Sequence, residues 1–256
     1  NSESGNINCF PYLTINNGTG GSVTLSTPVT VTNTLTLTKG VVTTTSTNIL
    51  YVSNSAAGSV SGGSSDSYIN GPFKRAFSSG TASDWIFPVG KNSTFLPCAI
   101  NTPTGTSPLT VEAYDSNCGG TGSGYTLSTT EYWYMSGNTL TAGTVSFAKS
   151  GTSCTVVMYS STANGTYTSL GGSSTTVCSV TGVKATNSVN PLTPNYFVLG
   201  TQVVNPPTTA ASNLSFSSVK PSQMTLSWTN GNGANRIVVA KAGSAPTGTP
   251  SDGSSY

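Results

Sequence analysis

From Val23 to Val41 every apolar side chain stands at an odd position: Val23, Leu25, Val29, Val31, Leu35, Leu37 and Val41. In extended chain successive side chains point to opposite faces, so all of these line one side. An amphipathic helix would need them three and four apart. They also arrive in pairs that recur every six residues, Val23/Leu25, Val29/Val31 and Leu35/Leu37. Between the pairs lie Ser26-Thr27-Pro28, Thr32-Asn33-Thr34 and Thr38-Lys39-Gly40. Two architectures fit. Short strands joined by corners at those triplets would stack as solenoid rungs that bury one shared face. A few long alternating strands would instead form part of a sandwich.

The rest of the chain keeps the strand signature. Short runs rich in β-branched and aromatic residues occur at Leu109–Tyr114, Glu131–Met135, Thr144–Phe147, Thr155–Tyr159, Tyr167–Leu170 and Tyr196–Leu199. Turn signals such as Gly119-Gly120, Ser136-Gly137-Asn138, Asn164-Gly165 and Gly171-Gly172 separate them. No stretch has a clear helical period. The expected fold is all-β: short solenoid-like or sandwich strands over 1–58, a β-sandwich or jelly-roll-like domain over 59–202, and a linker with a smaller module over 203–256. The linker is Val203-Val204-Asn205-Pro206-Pro207-Thr208-Thr209. After it come Leu214 and Phe216, the alternating Met224, Leu226 and Trp228, a turn at Asn230-Gly231-Asn232-Gly233, and a third strand at Arg236–Ala240. Strand, strand with an inward Trp, turn and strand are the front half of an immunoglobulin-like sandwich.

Composition excludes whole classes of chemistry. Charged residues are 6 % of the chain and histidine is absent, which removes His-based triads, His-ligated metals and His proton shuttles. A net charge of +2 without a basic cluster argues against nucleic acid, whose phosphates demand Lys and Arg. No apolar run approaches the ~20 residues of a membrane span. The opening Asn1-Ser2-Glu3-Ser4 lacks a basic region and an apolar core, and reads as the start of a processed or trimmed chain. Ser and Thr make up roughly a third of the residues, yet 11 Tyr, 8 Phe and abundant Val argue for order rather than disorder. No cofactor and no catalytic residue is expected.

Five cysteines point to an oxidising compartment. None forms a C-x-x-C pair, so zinc ribbons and thioredoxin-like sites lose their signature. Cys98 and Cys118 bracket one loop, and Cys154 and Cys178 bracket another. The favoured bridges are Cys98–Cys118 and Cys154–Cys178, other connectivities being allowed. Cys9 is left unpaired or free for an intermolecular bond. Glu112 and Asp115 fall on opposite faces of extended chain, which disfavours a glycosidase pair. Ser65-Asp66-Ser67 and Asp115-Ser116-Asn117 read as surface turns rather than calcium loops. Lys74, Arg75 and Lys91 read as solvated strand-end charges, pairing with Asp66 or Asp84. Trp85, Tyr132 and Tyr134 are candidates for contact with a glycan, because an aromatic face packs against a pyranose. The alternative reading makes large aromatics core and lets the tyrosines cover the sheet.

These residues carry a resemblance. Leu226-Ser227-Trp228-Thr229-Asn230-Gly231-Asn232-Gly233, then Arg236-Ile237-Val238-Val239 and Pro250-Ser251-Asp252-Gly253-Ser254-Ser255-Tyr256, resemble the first half of a fibronectin type III domain of secreted Bacteroidota proteins. Tyr68-Ile69-Asn70-Gly71-Pro72-Phe73-Lys74-Arg75, Phe87-Pro88-Val89-Gly90-Lys91 and Leu35-Thr36-Leu37-Thr38-Lys39-Gly40-Val41 are similar to other parts of such proteins. The resemblance implies a modular, type IX-secreted surface protein of the adhesin or filament type. Its partners would be copies of itself, or further domains of the same long chain; surface glycans are a second class. A fibronectin type III domain has about seven strands, and this one stops after three or four. Leu214, Phe216, Trp228 and Val238 would then form an open assembly edge. The functional expectation is a structural module of an extracellular adhesin or filament. The alternative is a carbohydrate-binding module of a secreted multidomain enzyme.

Overall fold

The computed structural model of the chain describes residues 8–137, 140–149, 156–172, 183–185, 195–203, 207–233, 237–241, 243–244 and 246–247. Its elements are almost all strands, as the alternation requires.

The first rung holds β1 (Cys9–Asn16) and β2 (Ser22–Thr24), and the second holds β3 (Val29–Lys39) and β4 (Val41–Thr43). The third holds β5 (Leu50–Val52), β6 (Val60–Gly62) and β7 (Ile69–Asn70). The fourth holds β8 (Phe73–Arg75) and β10 (Val89–Lys91); β9 (Asp84–Phe87), between them in sequence, pairs elsewhere. Strands of successive rungs pair in parallel: Thr30 stands against Cys9, Tyr51 against Thr30 and Lys74 against Tyr51. A rung therefore takes about twenty residues, at the short end of solenoid repeats. Inward side chains stack along the axis as Leu13–Leu35–Val60, Val29–Leu50–Phe73 and Val23–Val42–Ile69–Val89. Each buried Val or Leu contributes about 1.5–3 kcal/mol.

The six-residue corners are corrected by this arrangement. Val29/Val31 and Leu35/Leu37 belong to a single strand of 11 residues, not to separate rungs. The pairs are two footholds on that strand: β5 pairs its first half and β6 its second. Between β5 and β6 the chain leaves the sheet through a 3-10 turn at Ala57–Ser59. Asn33 lies at the gap, where Asn54 Nδ2 donates to its carbonyl (3.1 Å) and to its Oδ1 (3.3 Å). A true corner comes at Gly40, whose φ of 95° suits a residue without Cβ. Another comes at Gly71 (φ 126°), where an added Cβ would lie 2.4 Å from the Thr44 carbonyl oxygen.

At β8 the sheet changes character. β5 flanks it in parallel, and β13 (Leu109–Tyr114) flanks it antiparallel. The intervening β11 (Thr94–Phe95) and β12 (Cys98–Gly105) precede β13. The later strands are β14 (Thr121–Gly122), β15 (Tyr125–Leu127), β16 (Tyr132–Gly137), β17 (Leu140–Phe147), β18 (Val156–Ser160), β19 (Thr166–Ser169), β20 (Val183–Lys184) and β21 (Asn195–Gln202). The long sheet thus runs from the solenoid through β8, β13, β16 and β21 without a break. The shorter sheet β20-β17-β12-β9 shares its core with it. One apolar cluster contains Val31, Leu35 and Leu37 of the solenoid together with Trp85, Trp133 and Phe147 of the sandwich. A boundary at 58/59 is therefore corrected. It would cut between two strands that both pair β3, so residues 1–58 have no core of their own.

The chain forms two compact units, Asn1–Gln202 and Val203–Tyr256. In the second, β22 (Ser212–Lys220) and β23 (Gln223–Thr229) form one antiparallel hairpin, with Phe216 opposite Leu226. The third strand expected at Arg236–Ala240 is corrected for Ile237–Ala240, which pairs with no strand among the described residues. Arg236 and residues 250–256 lie outside them. No described helix is long and apolar enough to cross a membrane.

Candidate functional site

The four expected edge residues meet in the second unit. Leu214 and Phe216 on β22, Trp228 on β23 and Val238 beyond the turn are all exposed. Together with Met224 and Ile237 they line an open apolar groove of about 800 Å³. Strand period explains the convergence: Leu214 and Phe216 share parity on one strand, as do Met224, Leu226 and Trp228 on the other. The Trp228 indole donates to Asn230 Oδ1 (3.0 Å), which holds the ring beside the turn. Nothing charged stands among these six side chains. The groove can take an apolar strand face, and Lys241 is the charged side chain among its described lining residues.

Of the expected glycan contacts, Tyr132 and Tyr134 share one face and Trp85 does not join them. Trp85 is fully buried, its indole donating to the Ser55 carbonyl (3.0 Å) and its ring packed edge-on to Phe77. It is corrected from a surface contact to a core residue, since on β9 it shares parity with Phe87 and faces the shared core. Trp133 is buried as well, donating to the Leu96 carbonyl (2.9 Å). Tyr132 and Tyr134 lie on the other side of β16, half-buried. Tyr132 stacks on Tyr114 at 4.5 Å, and Tyr134 packs on Tyr196 at 4.7 Å. Tyr114 donates to Glu112 Oε2 (3.0 Å), and Lys91 Nζ pairs with Glu112 Oε1 (3.2 Å). Burial and the neighbouring Glu112 carboxylate hold the Tyr114 phenol well above its usual range, and burial raises Tyr132. These rings therefore face one another and cover the sheet.

The cysteine expectation is also corrected. Cys98 and Cys118 are both free thiols. Cys98 faces the main core, whereas Cys118 packs with Met158, Tyr167 and Val198 in a second cluster. Met158 and Val198 have the opposite parity to Phe197 and Leu199, so the second cluster covers the outer face of the long sheet. Two cysteines that bracket a loop can still end on opposite sides of a sheet. Burial pushes the Cys98 thiol up, which makes it unreactive. Cys154 and Cys178 lie outside the described residues. Cys9 is free and exposed.

Two buried charges escaped the reading of the sequence. Arg75 is fully buried rather than solvated at a strand end. Its guanidinium donates to the carbonyls of Ile86 (2.5 Å), Ala56 (3.3 Å) and Ala57. It fills the space beneath the 53–59 excursion and clamps it. Burial lowers its pKa to about 10, so it stays charged at neutral pH. Glu131 is fully buried and pairs with Lys149 Nζ (2.7 Å). Lys74 sits over the Tyr51 ring at 5.0 Å, and Lys91 pairs Glu112 rather than an aspartate. A signal for both buried groups existed. Arg75 shares parity with Phe73, and Glu131 with Trp133 and Met135. No family model, curated protein or solved structure matches this chain.

Proposed function

We propose that this chain is a structural module of a secreted cell-surface adhesin or extracellular filament, as its resemblance to Bacteroidota type IX-secreted proteins implies. It assembles through β-domain contacts with copies of itself or with further domains. The observation that carries the reading is the open apolar groove of the second unit, where Leu214, Phe216, Trp228 and Val238 stand exposed together. Contiguous apolar surface of this kind marks an interaction site. A lone hairpin is marginal in water, so the face gains stability when another layer covers it. Scarce charge lets such surfaces approach with little desolvation cost.

The test is association of the whole chain, followed by sedimentation and electron microscopy. Periodic or higher-order assemblies that disperse on Phe216→Glu or Trp228→Glu support the reading. A monodisperse monomer that neither substitution alters sinks it. A carbohydrate-binding module is the second reading, and rests on the half-buried Tyr134 and Tyr132. It requires saturable glycan binding that Tyr134→Ala removes.

A further inference from the structure

We infer that the first solenoid rung is an interface between two copies of this chain, in which β1 pairs antiparallel with β1 of the second copy about a two-fold axis. This deepens the assembly reading but stands on a different surface, so either can fail alone. Among the described residues β1 is the terminal strand of the long sheet and β2 is the terminal strand of its neighbour. Both belong to the same rung, so among the described residues this rung leaves two edges unpaired side by side. Backbone N–H and C=O groups on an open edge are a template for a further strand.

Native edges are blunted by charge, proline or a bulge. From Asn8 to Thr38 this chain has no charged residue. The edge device on β1 itself is Pro11; at both register shifts of its pairing, between Phe10 and Tyr12 and between Ile15 and Asn16, the extra residue lies on β3. Pro11 protects the start of β1 and leaves the outer edge of Tyr12–Asn16 open. In that stretch Leu13 and Ile15 turn inward, while Tyr12, Thr14 and Asn16 are exposed, Tyr12 at 69 %. The occupant is a second copy for two reasons. An uncharged edge meets its own image without repulsion, which a charged one does not. A two-fold axis normal to the sheet also satisfies β1 and carries β2 toward its own copy in one operation, as closed dimers do. Beyond Pro11 the midpoint of the open stretch is Thr14. The axis passes there, setting Thr14 against Thr14 and Tyr12 against Asn16 of the second copy.

Sedimentation equilibrium tests this on the whole chain carrying Trp228→Glu, so that the second unit's groove does not contribute. A dimer is expected. Thr14→Lys and Thr14→Glu each place like charges across the axis and weaken it at least about tenfold. An equimolar mixture of the two variants restores a heterodimer, and Thr14→Ser leaves the dimer intact. Thr14 is exposed, so at concentrations where all are monomeric the thermal melting of the three variants stays that of the parent. Two results overturn the inference. One is a monomer at every concentration, the expected state if another segment covers this edge. The other is a dimer indifferent to the charge at Thr14.

Discussion

The first unit and the second are written in the same alternating pattern and meet opposite fates. Leu35 on β3 is 0 % exposed, and Phe216 on β22 is 58 % exposed. Both occupy one face of a strand with apolar neighbours two residues away. The difference is the second layer. In the first unit the solenoid strands close over a core that continues into the sandwich. In the second, the hairpin has no facing sheet among the described residues. Alternation specifies which face is to be buried, and burial itself needs a partner for that face.

Substitutions sharpen the contrast, the largest first. Trp85→Ala removes a fully buried ring and its bond to Ser55, and is expected to destabilise the first unit by about 3–5 kcal/mol in chemical denaturation. The same change at Trp228 is expected to leave that transition in place and to alter only association. Equal effects at the two sites would break the comparison. Arg75→Ala leaves the carbonyls of Ala56, Ala57 and Ile86 without their donor, and is expected to cost about 3 kcal/mol. Arg75→Lys should recover only part, because an ammonium cannot reach three divergent acceptors from one stem.

The tyrosines supply a pH test. Tyr68, Tyr114, Tyr132 and Tyr167 all have phenols raised above the ordinary value of 10. An acid whose folded pKa is raised keeps its proton longer in the folded state than in the unfolded one. Their contribution is therefore fully present below pH 10 and is lost as pH climbs from 10 toward the folded values. Ultraviolet absorbance should show phenols that ionise only as the first unit unfolds, and Tyr114→Phe should remove part of that late step. A single transition at the ordinary pH for all phenols would refute it. The smallest effect is expected at Lys91→Met. Its pair with Glu112 is partly solvated, so the loss should stay below about 1 kcal/mol.

The candidate site was legible to the extent that it depends on parity. Leu214, Phe216 and Trp228 follow from period two, and the structure places them on one groove with Val238. Trp85 shows the limit. Its parity with Phe87 marks an inward face, but an exposed platform and a core look alike until the opposing layer is known. The bridge expected between Cys98 and Cys118 fails for the same reason, because sequence spacing does not say which side of a sheet a thiol meets.

By itself the sequence determined that this chain is β-rich and that its strands have one apolar face. These are consequences of backbone geometry within a few residues. Only the tertiary structure decided that Val29/Val31 and Leu35/Leu37 are two footholds of one strand, and that β8 turns a parallel sheet into an antiparallel one. It also decided that a guanidinium fills the space beneath Ala57. Those outcomes depend on contacts between segments eleven or more residues apart. Such pairing is settled by which closed loops bury the most surface and satisfy the most buried polar groups, a sum over the whole fold that no local pattern contains.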